Sequence, residues 1–133
     1  MKYLMLAYTS LEAWDNADFS TPEFEAVCSF YQDLGAELTE SGEMVTTFGL
    51  EHPVHSRSIR KRGDDVVATD GPFAEAKEVL VSGSILDCAS YDRVTEIAAR
   101  IVTGTGDAIE IRPMGRRPDP DADPLARTAV EAG

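Results

Sequence analysis

Asp70 is the residue of this chain whose setting most suggests chemistry. It opens the run Asp70-Gly71-Pro72-Phe73. Pro72 fixes its own φ and pushes Gly71 away from helical angles, so the backbone there is stiff. Two roles fit the carboxylate. It can hold the turn by accepting backbone N–H groups, or it can act as a general base or substrate anchor. Lys77 and Glu78 follow in the next turn of chain. Being adjacent, they read as a solvated pair worth little or as polar groups of a site. His52 and His55 flank Pro53. A spacing of three suits metal ligation on a helix, but Pro53 spoils that geometry and the chain has only two histidines, so no zinc site is expected. A titrating imidazole in a cleft is the chemistry left to them. Arg57, Arg60, Lys61 and Arg62 form the basic cluster. They read as a charged edge that resists aggregation, or as a clamp for an anion or carboxylate, for which Arg is the better residue. Tyr3, Tyr8, Trp14 and Phe73 can line an apolar pocket or pack in a core or dimer contact.

What surrounds these residues narrows the chemistry. The chain has 133 residues, 12 Lys and Arg against 24 Asp and Glu, and a formal net charge of -12. One domain with a hydrophobic core fits that length and a 43% apolar content. The charge excludes a general nucleic-acid binder, because phosphate affinity depends on Lys and Arg displacing counterions. It also argues against anionic membrane surfaces. No apolar run reaches a membrane span, and Tyr3–Tyr8 is too short for a signal h-region, so a cytoplasmic protein is expected. Cys28 and Cys88 are too few for a disulfide framework; Cys28, on an apolar helix face, reads as a small buried residue. There is no P-loop, dinucleotide fingerprint, nucleophile elbow or H-E-x-x-H motif, and no cofactor is expected.

The elements that must position these groups follow from periodicity. Lys2–Tyr8 alternates with apolar residues on both faces, as a central strand does. A polar loop follows. Thr21 with Pro22 at the first helical position, or Ser20 with Glu23 as a capping box, then opens a helix. Its expected buried stripe is Phe24, Val27, Cys28, Tyr31, Leu34 and Leu38, and Ser41-Gly42 ends it. Glu43–Leu50 is a strand, and Ser56–Arg62 with Val66–Thr69 a hairpin around Gly63-Asp64-Asp65. Val79–Asp87 is another strand with two apolar faces, in which Gly83 signals a bulge or a close approach. Ser90 caps a second helix, Tyr91–Val102, ended by Thr103-Gly104-Thr105-Gly106, and Ala108–Arg112 is the last strand. The order β-α-β-(hairpin)-β-α-β gives an α+β, ferredoxin-like domain over residues 1–113, with a Pro- and Asp-rich flexible tail at 114–133. Two helices cover one sheet face, and a second copy stacked on the other face is the simplest cover for its apolar residues.

The string Asp70–Glu78 (DGPFAEAKE), with the opening MKYLMLAY, Gly49-Leu50, the later VSGSILDC and the closing IEIRP, resembles the DGPF group of the YCII-related family over about residues 1–114. The resemblance implies a dimeric α/β-barrel with a cleft between sheet and partner, and a suspected His–Asp acid–base pair. The family's aspartate carries onto Asp70. Its histidine, after the first strand, has no counterpart here, since Tyr8–Trp14 occupies that stretch. His52 or His55 could stand in for it if the fold brings one of them to Asp70. The expected function is a small cofactor-independent enzyme acting on a small organic molecule, aromatic or a carboxylate, in a dimer-interface cleft. Asp70 and His52 would be catalytic, and Arg57, Arg60, Phe73, Lys77, Glu78 and Tyr8 would bind substrate. The alternative is a non-catalytic ligand-binding or regulatory homodimer module using the same cleft.

Overall fold

The alternation in the first strand has a direct consequence in the computed structural model, which describes residues 1–72 and 77–115. β1 (Lys2–Ser10) buries Tyr3, Met5 and Ala7 on one face and half-buries Leu4, Leu6 and Tyr8 on the other. It runs antiparallel between β5 (Glu78–Asp87) and β6 (Ala108–Pro113). β2 (Met44–Gly49) closes the other edge, giving the order β2-β5-β1-β6. The two strands read as apolar on both faces are thus the two central ones.

α2 (Pro22–Glu40) and α3 (Tyr91–Thr105) cover the face of Tyr3 and Met5. Leu34 and Leu38 of α2 and Val94, Ile97, Ala98 and Ile101 of α3 meet Leu86 and Tyr3 in the core. The architecture is the expected α+β, ferredoxin-like arrangement. Thr21 caps α2, its hydroxyl accepting from the Phe24 N–H at 3.2 Å. Ser20 instead donates to Asp18, so the capping-box alternative is not used. Ser90 caps α3 through the Arg93 N–H at 3.1 Å.

Four expectations need correction. The buried stripe of α2 covers only its C-terminal half: Phe24 and Cys28 are exposed. A helix of 19 residues is about 28 Å long and overshoots edge strands of six residues, about 20 Å. Cys88 is the buried thiol, and burial, then the Glu43 carboxylate beside it, pushes its pKa up. α3 runs past Val102 to Thr105, because the ring of Phe30 packs where a Cβ of Gly104 would stand and stitches this turn to α2. The stretch after β1 is not a loop throughout: α1 (Leu11–Asp15) follows it directly, with the Ser10 hydroxyl accepting from the Ala13 N–H at 2.9 Å.

At Gly83 a close approach is found. The Phe48 ring of β2 lies over it, leaving no room for a Cβ, while the register slip sits nearby, where Ala7 and Tyr8 face Ser82 and Leu80. Residues paired in register share a face. The open face of the sheet therefore carries Leu4, Leu6, Tyr8, Ile85, Leu80 and Phe48.

β3 (Arg57–Arg62) and β4 (Asp65–Asp70) form a separate two-stranded sheet, with Arg62 opposite Asp65 across a two-residue turn. Among the described residues no helix is long and apolar enough to cross a membrane, and no cluster of three or more metal-ligating side chains occurs. The tail and Phe73 lie outside the described residues, apart from Met114 and Gly115; the Met114 N–H donates to the Lys2 carbonyl at 3.0 Å.

Candidate functional site

The site grows from the end of β1. α1 starts without a loop, and its first residue is held beside Lys77, whose carbonyl accepts from the Leu11 N–H at 2.8 Å. That orientation sends Trp14 and Asp15 toward a 3-10 turn, Pro53–His55, whose N-cap is His52. His52 Nε2 stands 2.6 Å from Asp15 Oδ1. Its Nδ1 accepts from the Val54 N–H at 3.1 Å. A ring nitrogen that accepts a backbone N–H carries no proton, so in the neutral imidazole the proton sits on Nε2 and is donated to Asp15. The Trp14 ring packs on the imidazole with centroids 5.2 Å apart.

Two cavities share this wall. One, of about 1110 Å³, is lined by Ser10, Leu11, Glu12, Asp15, Asn16, Val54 and Lys77 together with His52, Pro53, Pro72 and Val79. The other, of about 410 Å³, shares those last four and adds Leu50, Glu51, His55, Ser56, Glu78 and Leu80. A third depression, of about 580 Å³, joins Glu78 to Tyr8, Ala108, Ile109 and Glu110. The larger cavity combines apolar walls with carboxylates, an ammonium, an amide and a hydroxyl. It can hold a small organic molecule by its body and orient it by its polar end.

The fold gathers His52, His55, Lys77 and Glu78 around these cavities and puts Tyr8 in the neighbouring one. It keeps Asp70 and Arg57 on the hairpin. The Asp70 side chain is 89% exposed, with Arg57 Nε 3.6 Å away, and neither lines the two cavities at His52. Arg60 is exposed on the same strand. The histidine that the fold brings to a carboxylate is His52, and the carboxylate is Asp15 rather than Asp70.

The turn after Asp70 has its own fastenings. Gly71 sits at φ +98°, which a side chain would strain. Its N–H donates to the Ser56 carbonyl at 2.8 Å, and its carbonyl accepts from the buried Ser58 hydroxyl at 2.7 Å. Ser58 and Asp15 are the two residues that sequence reasoning missed. A serine inside a basic strand gives no sign of burial. The signal for Asp15 was Ser10 three residues before Ala13, a capping spacing that starts a short helix.

An uncharacterised protein of Rhizobium meliloti (strain 1021) is 28% identical over 120 residues, covering 86% of this chain and 92% of its own length. The family model of the YCII-related domain matches residues 1–116, which takes in both long helices, the whole four-stranded sheet and every cavity-lining residue named above, and the chain belongs to that family.

Proposed function

We propose that the chain is a small cofactor-independent acid–base enzyme whose substrate, a small organic molecule with a polar end, sits in the cleft shared by Asp15, His52 and Lys77. The observation that carries this reading is the 2.6 Å contact between His52, which lines both cavities, and Asp15, which lines the larger one. His52 has both ring nitrogens engaged, so it holds the carboxylate in place. Asp15 takes a proton from the substrate on one oxygen and returns it in the reverse step. Lys77 provides the cation for a carboxylate or a developing oxyanion. Asp70, the carboxylate to which the family resemblance points, enters as the comparison. The open sheet face, with Leu4, Leu6, Ile85 and Phe48, supports a homodimer in which a second copy covers it and deepens the cleft.

A non-catalytic ligand-binding module is the second reading, and the occupied imidazole favours it: a histidine used twice by the protein is well suited to shaping a wall. A thermal-shift screen of small carboxylates and aromatic acids starts the test, since a ligand at about 100 times its Kd adds about 2.7 kcal/mol of stability. Conversion of a hit, lost in Asp15→Asn and kept in Asp70→Asn, is the expected result. Stoichiometric binding without conversion selects the second reading. Loss in Asp70→Asn alone returns the proton transfer to Asp70.

A further inference from the structure

The charged side chains around the two cavities that share the His52 wall do not balance. Glu12 and Asp15 line the larger one with Lys77. Glu51 and Glu78 line the smaller one, where no Lys or Arg joins them among the described residues. Four carboxylates thus stand against one ammonium. Asp15 is engaged by His52, whereas no hydrogen bond or ion pair among the described residues reaches the carboxylate of Glu51 or Glu78. Glu78 also has a place that the others lack. It lines both the smaller cavity and the depression of about 580 Å³ that holds the half-buried Tyr8. The register of β1 and β5 explains this. Ser10 faces Glu78 and Tyr8 faces Leu80, so Tyr8 and Glu78 project from the same open side of the sheet. A carboxylate and an aromatic ring lining one depression suit an ammonium: the carboxylate accepts its N–H groups, and the face of the ring attracts its charge.

We propose that the cleft selects a small cationic amine that also carries a carbonyl group. Glu78 holds the ammonium, with Glu51 and Tyr8 beside it, and the carbonyl lies at Lys77 and Asp15. This rests on the reading of the cleft given above and names its substrate class. An acidic cleft with apolar walls concentrates cations and repels anions. A free carboxylate on the substrate adds a fifth negative charge to the four of the lining. A carbonyl adds none until Asp15 takes the proton from the carbon next to it. The negative charge then appears on the carbonyl oxygen, where Lys77 meets it, so the lysine favours the transition state over the bound substrate. The ammonium takes no part in that transfer. It fixes which end of the molecule lies at Asp15. An ion pair in open solvent contributes little. Between Pro53, Pro72, Val79 and Leu80 the local dielectric is lower, and the same pair gains strength.

Probes that share one carbon frame test this on the full chain: pentanoate, pentanamide, 5-aminopentanoate and 5-aminopentanamide, titrated by thermal shift and by ligand-observed NMR, with the set repeated on shorter and longer frames. 5-Aminopentanamide should bind tightest and pentanoate weakest, and N-acetylation of the amine should weaken binding about tenfold or more. Glu78→Gln, checked for folding by circular dichroism, should abolish the preference for the amine and leave the affinity for pentanamide within about twofold. Equal affinity for the aminated and plain amides overturns the proposal. So does a preference for the amine that survives in folded Glu78→Gln. If Glu78→Gln does not fold, the N-acetyl comparison on the wild type decides, and an affinity unchanged by acetylation overturns the proposal. Pentanoate as the tightest ligand overturns it too and leaves the acid–base reading of the cleft standing. Amine-selective binding without conversion of any ligand supports this proposal and removes the catalytic reading, so the two fail separately. If no member of any frame binds, the proposal falls.

Discussion

In the proposed reaction, Asp15 and His52 would divide the work by the atoms each has left. His52 spends Nδ1 on the Val54 N–H and Nε2 on Asp15, whereas the Asp15 side chain remains about half exposed toward the larger cavity. Asp15→Asn keeps the shape and removes the base, so turnover of a converted ligand should fall by roughly 10²–10⁴ with binding retained. His52→Gln should cost about tenfold by loosening the carboxylate, with less effect on which proton moves. Single-turnover rates on both variants check this; a larger loss in His52→Gln than in Asp15→Asn makes the imidazole the base. The turn beside the site calls for a different pair of variants. Ser58→Ala leaves the part-buried Gly71 carbonyl without its donor and should lower stability by about 1–2 kcal/mol. Asp70→Asn, at a side chain 89% exposed, should change it by less than about 1 kcal/mol. Chemical denaturation of both gives the comparison. At this scale the sequence was only partly legible. His52 stood out because histidine is rare here, but its partner lies 37 residues away, a distance over which local pattern carries no information.

Among the elements, strands and caps were legible where one local rule decided them. Thr21-Pro22 and Ser90 each supply a cap next to an apolar period, and two-sided apolar alternation marked β1 and β5 as central. Reading failed where tertiary packing outweighed a local breaker. Gly104 looked like part of a helix stop, yet α3 continues through it because Phe30 fills the space above it. That yields a prediction with an unusual sign. Gly→Ala inside a helix ordinarily stabilises by about 1 kcal/mol. Gly104→Ala should instead destabilise by about 1–3 kcal/mol, since the new methyl and the Phe30 ring compete for one place. Adding Phe30→Leu should recover part of the loss. Thermal melts of the single and double variants test it, and a stabilised single variant means the ring swings aside at no cost. The exposed first half of α2 was illegible for a related reason: periodicity gives the direction of a face but not how far the sheet beneath it extends.

At the scale of the whole molecule, acid stability turns on how the folded state holds its carboxylates. Glu43 receives both Arg93 Nε and a second guanidinium nitrogen at 2.9 Å, and Arg93 also reaches Glu96, which ties the start of α3 to the junction of α2 and β2. The Arg93 hydrogen bonds, then that of Ser41, hold the Glu43 carboxyl down at about 2. In the unfolded chain it titrates near its ordinary value of 4.5. The unfolded state therefore takes up the proton first. The stabilisation is fully present above about pH 4.5 and is lost as pH falls toward 2, an effect on the order of 2 kcal/mol for a group that keeps some contact with water. Asp107 works the other way. Burial raises its pKa even though the Tyr31 hydroxyl donates to it at 3.1 Å, so protonation favours the folded state as pH falls toward its raised value. Relief of the -12 charge acts in the same direction. Stability should thus drop as pH falls below about 4.5 through Glu43, with protonation of Asp107 and relief of the net charge working against that drop. Arg93→Ala should lower stability at neutral pH and flatten the drop, because Glu43 would then titrate more nearly alike in both states. Melting temperatures from pH 7 to 3 for wild type and Arg93→Ala measure the two slopes; equal slopes below pH 4.5 would assign the acid transition to carboxylates other than Glu43.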